Sequence, residues 1–245
     1  MSIFLIQKDV QIDFITEVKS ISPYMEISLE NLSQISNKLD IFVPIGTIEF
    51  VHLFMKRSRL PIPKPINIPK ALLHEHFLKR KIEYVHFPNT DYLEKYKISN
   101  SGNTYLFIKS VSEAKKLSKV IYNIKDFDNL PSDEYLISEF MEIDSEYRCF
   151  VHKDQLIDIR RYSGYMEKLP DFDIIHEMIS TYHSSGTAPI SYTLDVGITE
   201  KGTILIEVHD FYSIGTYGFS GQKLSTMFAQ WFNNYRFFAP RNYDW

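Results

Sequence analysis

The stretch Ser191–Asp210, SYTLDVGITEKGTILIEVHD, constrains the fold more tightly than any other part of the chain. It reads as two alternating, β-branched runs joined by the turn residues Glu200-Lys201-Gly202. A three-residue loop with Gly202 in the left-handed position sets Thr199 opposite Thr203. Ile198 then faces Ile204, Val196 faces Ile206 and Leu194 faces Val208, so one side of the hairpin is a core face. The other side follows: Asp195 lies opposite Glu207, and His209, two residues further on, points the same way. Two directly opposed carboxylates repel each other. The arrangement is comfortable when one is protonated or a cation sits between them. A hard divalent cation with oxygen ligands, such as Mg²⁺, meets that need. Gly197, beside Asp195, is expected to leave room for a ligand. A lone Asp–Glu pair is ordinarily a solvated face, but the apolar residues flanking LDVG and LIEVHD argue against full exposure here.

Composition bounds the rest. The chain has 245 residues, enough for one large domain or two small ones, and 44% hydrophobic content. With 27 Lys+Arg against 31 Asp+Glu, the net charge of −4 argues against a dedicated nucleic-acid binder, though a local basic groove stays open. A single cysteine, Cys149, excludes an internal disulfide framework and a multi-cysteine zinc site, and fits a reducing, cytoplasmic compartment. No signal-peptide pattern or membrane-length apolar run is present.

The segment PIPKPINIP at 61–69, with four prolines, is an expected extended connector. It sets off a short N-terminal α/β region, 1–69, from a main domain, 70–245. That main domain divides at about 100–137 and 138–245. Within the first region, a strand is expected near Ser2–Ile6, a helix near Leu29–Lys38, and strand, turn and strand across Asp40–Phe50. Helices are expected over Lys70–Arg80, Ser112–Val120, Phe172–His183 and about Lys223–Phe237; strands over Thr104–Lys109 and Glu134–Ile137. Tyr147–Val151 and Leu156–Tyr162 form an expected hairpin about Lys153-Asp154. Eight of the nine glycines fall at or beyond Gly102, concentrating tight turns in the C-terminal half. The fold class is α+β.

Other polar residues carry weaker signals. Lys109 ends an apolar strand, where a lysine either holds phosphate as a point charge or snorkels to solvent. Glu146 and Arg148 share one strand face, with Tyr147 and Cys149 on the other. Arg160 and Arg161 add positive charge to the returning strand. His74-Glu75-His76 lacks zinc-ligand spacing, and Lys79-Arg80-Lys81 reads as a solvated helix end, with attraction of an anionic substrate as the alternative.

In this order the segments resemble the ATP-grasp superfamily, in particular a compact phage and bacterial branch, over roughly residues 40–235. The resemblance rests on FIKS at 107–110, ISEFMEIDSEYRCFV at 137–151 and YTLDVGITEKGTILIEVHDFYSIGTYGF at 192–219. It implies an ATP-grasp fold of two α+β subdomains clasping ATP. It further implies that Lys109 contacts ATP phosphates, that Glu139, Phe140 and Met141 form a hinge around adenine, and that Glu146 lies near the ribose. Arg148 and Arg161 would face the phosphates or an acyl phosphate, and Asp195, Glu207 and His209 would hold Mg²⁺. Family members typically activate a carboxylate as an acyl phosphate for attack by an amine or thiol. The expected partner is therefore a small-molecule or peptide substrate bearing a carboxylate, with an amine acceptor. Two other functions remain open: a nucleotide-binding interaction module without turnover, and an ATP-dependent phosphotransferase. The chain departs from the pattern in having His209 where Asn is usual, which would favour Mn²⁺, contact substrate or mark a degraded site. It also has no glycine in SVSEAKKLSKV after Lys109.

Overall fold

The computed structural model describes residues 2–8, 10–11, 14–35, 39–89, 91–92, 94, 105–112 and 117–238. Its α+β architecture is built on three sheets. The first is parallel, in the order β2-β1-β3, from β1 (Ile3–Gln7), β2 (Tyr24–Ile27) and β3 (Phe42–Ile45). The second, in the order β4-β7-β5-β6, is antiparallel. It contains β4 (Ile82–Phe87), β5 (Leu106–Ser110), β6 (Ser118–Ile121) and β7 (Asp133–Glu139). The third, in the order β11-β10-β8-β9, is also antiparallel. It contains β8 (Ser145–His152), β9 (Gln155–Gly164), β10 (Ser191–Thr199) and β11 (Gly202–Asp210).

The N-terminal region departs from the expected strand–turn–strand. After β3 the chain enters a helix, α2 (Ile48–Arg57), which follows the short α1 (Ile15–Ile21). The Thr47 side chain caps α2 by accepting from the Phe50 amide at 3.3 Å. Glu49 in the first turn and Lys56 and Arg57 in the last suit the helix dipole. Phe50, Val51, Phe54 and Met55 form its buried face. A short apolar run of this kind fits strand or buried helix alike, and the cap decides for the helix. Pro44 is accommodated because β3 lies at a sheet edge.

Two other helices are corrected. Lys70–Arg80 is broken into a 3₁₀ turn at Lys70–Leu72 and the single turn α3 (Glu75–Leu78), stopped by Lys79 at φ 48°. Of Ser112–Val120, residues 113–116 lie outside the described residues, and Ser118–Val120 belong to β6, paired with β5. The expected Leu29–Lys38 helix is a 3₁₀ turn at Asn31–Gln34, with 36–38 outside the described residues. Thr104, the expected start of a strand, also lies outside them. The helices α4 (Phe172–Ser184) and α5 (Gln222–Phe238) follow the periodicity closely.

Three cores result. The parallel sheet and α2 pack against α5 through Phe228, Trp231 and Phe232. α4 covers one face of the third sheet through Ile175, Met178, Ile179 and Tyr182, against Leu194, Val196, Leu205 and Val208. The second sheet has its own core around Phe87, Ile108, Phe127 and Ile137. The proline-rich connector runs extended and docks on β11: the Asn67 carbonyl accepts from the Val208 amide at 2.7 Å.

Candidate functional site

A cavity of about 1150 Å³ separates the second and third sheets. Its walls include the connector, β5, the β7–β8 junction, the β11 face and the loop after β11. The volume suits a nucleotide-sized ligand together with a second group.

The hairpin places Asp195 opposite Glu207, as its alternation predicts, but by a different register near the turn. Thr199 pairs with Gly202 across the two residues Glu200 and Lys201, Ile198 with Thr203 and Val196 with Leu205. A bulge at Asp195/Val196 restores the pairing of Asp195 with Glu207 and Leu194 with Val208. Consequently Leu205 enters the core, while Ile204 and Ile206, expected there, line the cavity. The space at Gly197 is taken by protein: a Cβ there would meet Ile143 at 3.0 Å and Ile206 at 3.3 Å.

The repulsion between the carboxylates is relieved by side chains from three strands. Asp195, only 1% exposed, accepts two bonds from the Arg148 guanidinium: Nε to Oδ1 at 2.8 Å and Nη2 to Oδ2 at 2.7 Å. Arg148 and Asp195 are cross-strand neighbours on β8 and β10. Arg148 Nη1 also donates to the Gly215 carbonyl at 3.1 Å, and the guanidinium lies 5.2 Å from the Tyr217 ring and 5.8 Å from the Tyr162 ring. Burial raises the Asp195 carboxyl above its ordinary pKa, and the guanidinium acts against that rise. Glu207 meets Lys109 Nζ through Oε2 and His209 Nε2 through Oε1, the latter at 2.8 Å. Burial by itself would raise its pKa, but the hydrogen bonds and charges of His209 and Lys109 outweigh burial and hold it at about 2. One ligand atom each from Asp195, Glu207 and His209 lies within 4.8 Å of the others. Two carboxylates and an imidazole at that spacing fit a divalent cation.

The remaining expected residues sort clearly. Lys109, Glu139, Phe140, Met141, Glu146 and Arg148 all line the cavity. Glu146 accepts from the Tyr162 hydroxyl at 2.8 Å, and Tyr162 stacks on Tyr217 at 5.0 Å between centroids. Arg161 is not brought there. It pairs with Tyr147, whose ring packs into the α4-side core, and its exposed guanidinium donates to the Gly164 carbonyl. Strand alternation puts it on the face away from Arg148. Cys149 is fully buried, and burial pushes its thiol pKa well up, consistent with packing alone.

Arg80 was missed as a site residue. The basic run Lys79-Arg80-Lys81 reads as solvated, yet Arg80 lines the cavity. Its Nη1 donates to the carbonyls of Leu205 at 2.9 Å and Leu78 at 3.2 Å. Burial lowers its pKa to about 10, and among the described residues no carboxylate pairs with it. The break at Lys79 turns this side chain inward, and helical periodicity carries no sign of that break.

The chain from residue 77 to 227 matches the family model described as ATP-grasp domain, R-two-K clade family 2. No curated protein matches. Among solved structures, the D-alanine–D-alanine ligase of Bacillus anthracis complexed with ATP is similar, with TM-score 0.59 and 14% identity, over 96% of this chain and 99% of that one. A RimK domain protein ATP-grasp from Sphaerobacter thermophilus gives TM-score 0.55 and 12% identity over 97% and 99%. The ATP-grasp ligase PsnB, complexed with a phosphomimetic variant of its minimal precursor, Mg and ADP, gives TM-score 0.51 and 12% identity over 89% and 90%. The family match spans well over half of the chain and coincides with the two sheets that enclose the cavity: this protein belongs to the ATP-grasp family, R-two-K clade family 2.

Proposed function

We propose that the chain is an ATP-dependent carboxylate–amine or carboxylate–thiol ligase working through an acyl phosphate with Mg²⁺. One observation carries this reading: Lys109, Arg148 and Arg80 line a single cavity with Glu207 and His209, and the buried Asp195 has a ligand atom within 4.8 Å of theirs. Phosphoryl transfer needs cations spread around the phosphate oxygens and a metal bridging them. In this reading Arg80 and Lys109 hold phosphate oxygens, and Arg148 turns its two uncommitted N–H groups toward the transferred phosphoryl or the acyl phosphate. Asp195, Glu207 and His209 hold the divalent cation, which neutralises charge developing on the phosphates. Glu139, Phe140 and Met141 at the β7–β8 junction give the adenine an apolar wall and backbone groups, and Glu146 meets the ribose. Arg161, turned outward, has no part in it. The connector and the loop around Tyr212 and Ser213 also wall the cavity, and in this reading the carboxylate and acceptor enter beside them.

The test is incubation with ATP, Mg²⁺ and a pooled metabolite or lysate extract, followed by ADP measurement and mass spectrometry. The expected product carries a new amide or thioester, forms with equimolar ADP, and disappears in the Asp195→Asn, Glu207→Gln double variant. Full turnover in that variant removes the assignment. A product carrying stable phosphate identifies a phosphotransferase instead. A second reading, a nucleotide-binding module without turnover, is favoured by His209 in the ligand set and by the occupation of both carboxylates with the protein cations Arg148 and Lys109. Nucleotide binding with no ADP formation across the whole extract would select it.

A further inference from the structure

Two of the three side chains suited to phosphate, Arg148 and Lys109, are already bonded to the candidate metal ligands. Every oxygen of the two carboxylates has a nitrogen partner. Asp195 Oδ1 and Oδ2 receive the Arg148 fork, Glu207 Oε1 meets His209, and Glu207 Oε2 meets Lys109. A divalent cation approaching this set meets fixed positive charge at contact distance and must compete with it. Phosphate oxygens in the cavity would compete for the same lysine.

The two pairs differ in how readily they give way. Arg148 is anchored by the Gly215 carbonyl and two tyrosine rings, and its side chain is 9% exposed. Lys109 is 21% exposed, and its contact with Glu207 crosses from the second sheet to the third. An ammonium on a flexible stem is the more mobile partner.

We infer that Lys109 acts as a charge latch on Glu207, so that the divalent cation and the nucleotide bind with positive coupling. The triphosphate draws Lys109 away from Glu207 Oε2 and thereby frees that oxygen for the metal. By linkage, the metal improves nucleotide binding by the same factor. The latch rests on the metal and nucleotide roles assigned under the proposed function. Its distinctive consequence is that removing a phosphate-contacting lysine strengthens metal binding when nucleotide is absent.

The experiment titrates the full chain with Mn²⁺, following free Mn²⁺ by electron paramagnetic resonance, with and without a saturating non-hydrolysable ATP analogue. Wild type, Lys109→Met, Lys109→Gln and Lys109→Met with Glu207→Gln are compared, with circular dichroism confirming the fold of each. Without nucleotide, the Lys109 variants should bind Mn²⁺ about tenfold more tightly than wild type, within the usual range of coupling between sites. The analogue should tighten Mn²⁺ binding in wild type and do so much less in the variants. Glu207→Gln should cancel the gain. Equal or weaker Mn²⁺ affinity in folded Lys109 variants, with binding still dependent on Glu207, overturns the latch and leaves the metal assignment standing. Nucleotide binding without any Glu207-dependent Mn²⁺ site overturns both.

Discussion

The two ion pairs of the site sit in different kinds of surroundings. Arg148–Asp195 lies within one sheet, between adjacent strands β8 and β10, with both side chains buried. Lys109–Glu207 joins two sheets across the cavity, with both side chains about one-fifth exposed. A pair fixed by strand register is part of the fold, and its geometry is set as soon as the sheet forms. A pair between layers depends on how the layers approach, and solvent screens it. The first is therefore suited to hold a guanidinium in place and the second to exchange partners.

The sharpest break comes from the double substitution Asp195→Asn with Glu207→Gln, which should reduce ADP formation below detection while circular dichroism still reports a folded chain. Next, Arg148→Met leaves Asp195 buried without its partner and should lower stability by about 3–5 kcal/mol, read from urea unfolding. Arg80→Met tests a cation outside both pairs. It should weaken nucleotide affinity about tenfold by calorimetry, as expected for losing one charge-assisted hydrogen-bonding group. Lys109→Met, in contrast to Arg148→Met, should change stability by about 1 kcal/mol or less. A loss equal to that of Arg148→Met would erase the distinction between the two pairs.

The smallest effect concerns pH. His152 bonds Ser191 Oγ at 2.8 Å, and burial, followed by Lys153, lowers its pKa below 6.5. The unfolded chain therefore takes up this proton more readily than the folded one. The neutral form's contribution is fully present above pH 6.5 and is lost as pH falls below it toward the folded value. Thermal melts at about pH 7.5 and about pH 5.5 should show a smaller acid-induced drop for His152→Gln than for wild type.

The sequence is most readable where local alternation and burial agree. Asp195, Glu207 and His209 share a face because a strand has period two, and a register wrong at the turn is corrected by the bulge before it reaches them. The partner of Arg148 is not readable locally: Asp195 lies 47 residues away and meets it only once β8 and β10 pair. Arg161 was misplaced because resemblance specifies a residue type near a strand end, whereas the pleat decides its side. Arg80 was hidden by charge composition, since a basic run gives no hint that its middle member turns inward. The helix α2 was hidden by its apolar run, although Thr47 and Glu49 marked its start.

The C-terminal helix has a temporal consequence. Phe4, Leu5, Phe50 and Phe54 share one core with Phe228, Trp231 and Phe232, and Asn233 Nδ2 donates to Ser2 Oγ at 3.0 Å. During synthesis the earliest strands emerge long before the residues that seal them. A nascent chain must carry that oily surface, uncovered, until residues 222–238 have followed it out of the ribosome, which makes chaperone dependence during translation a natural expense of this topology.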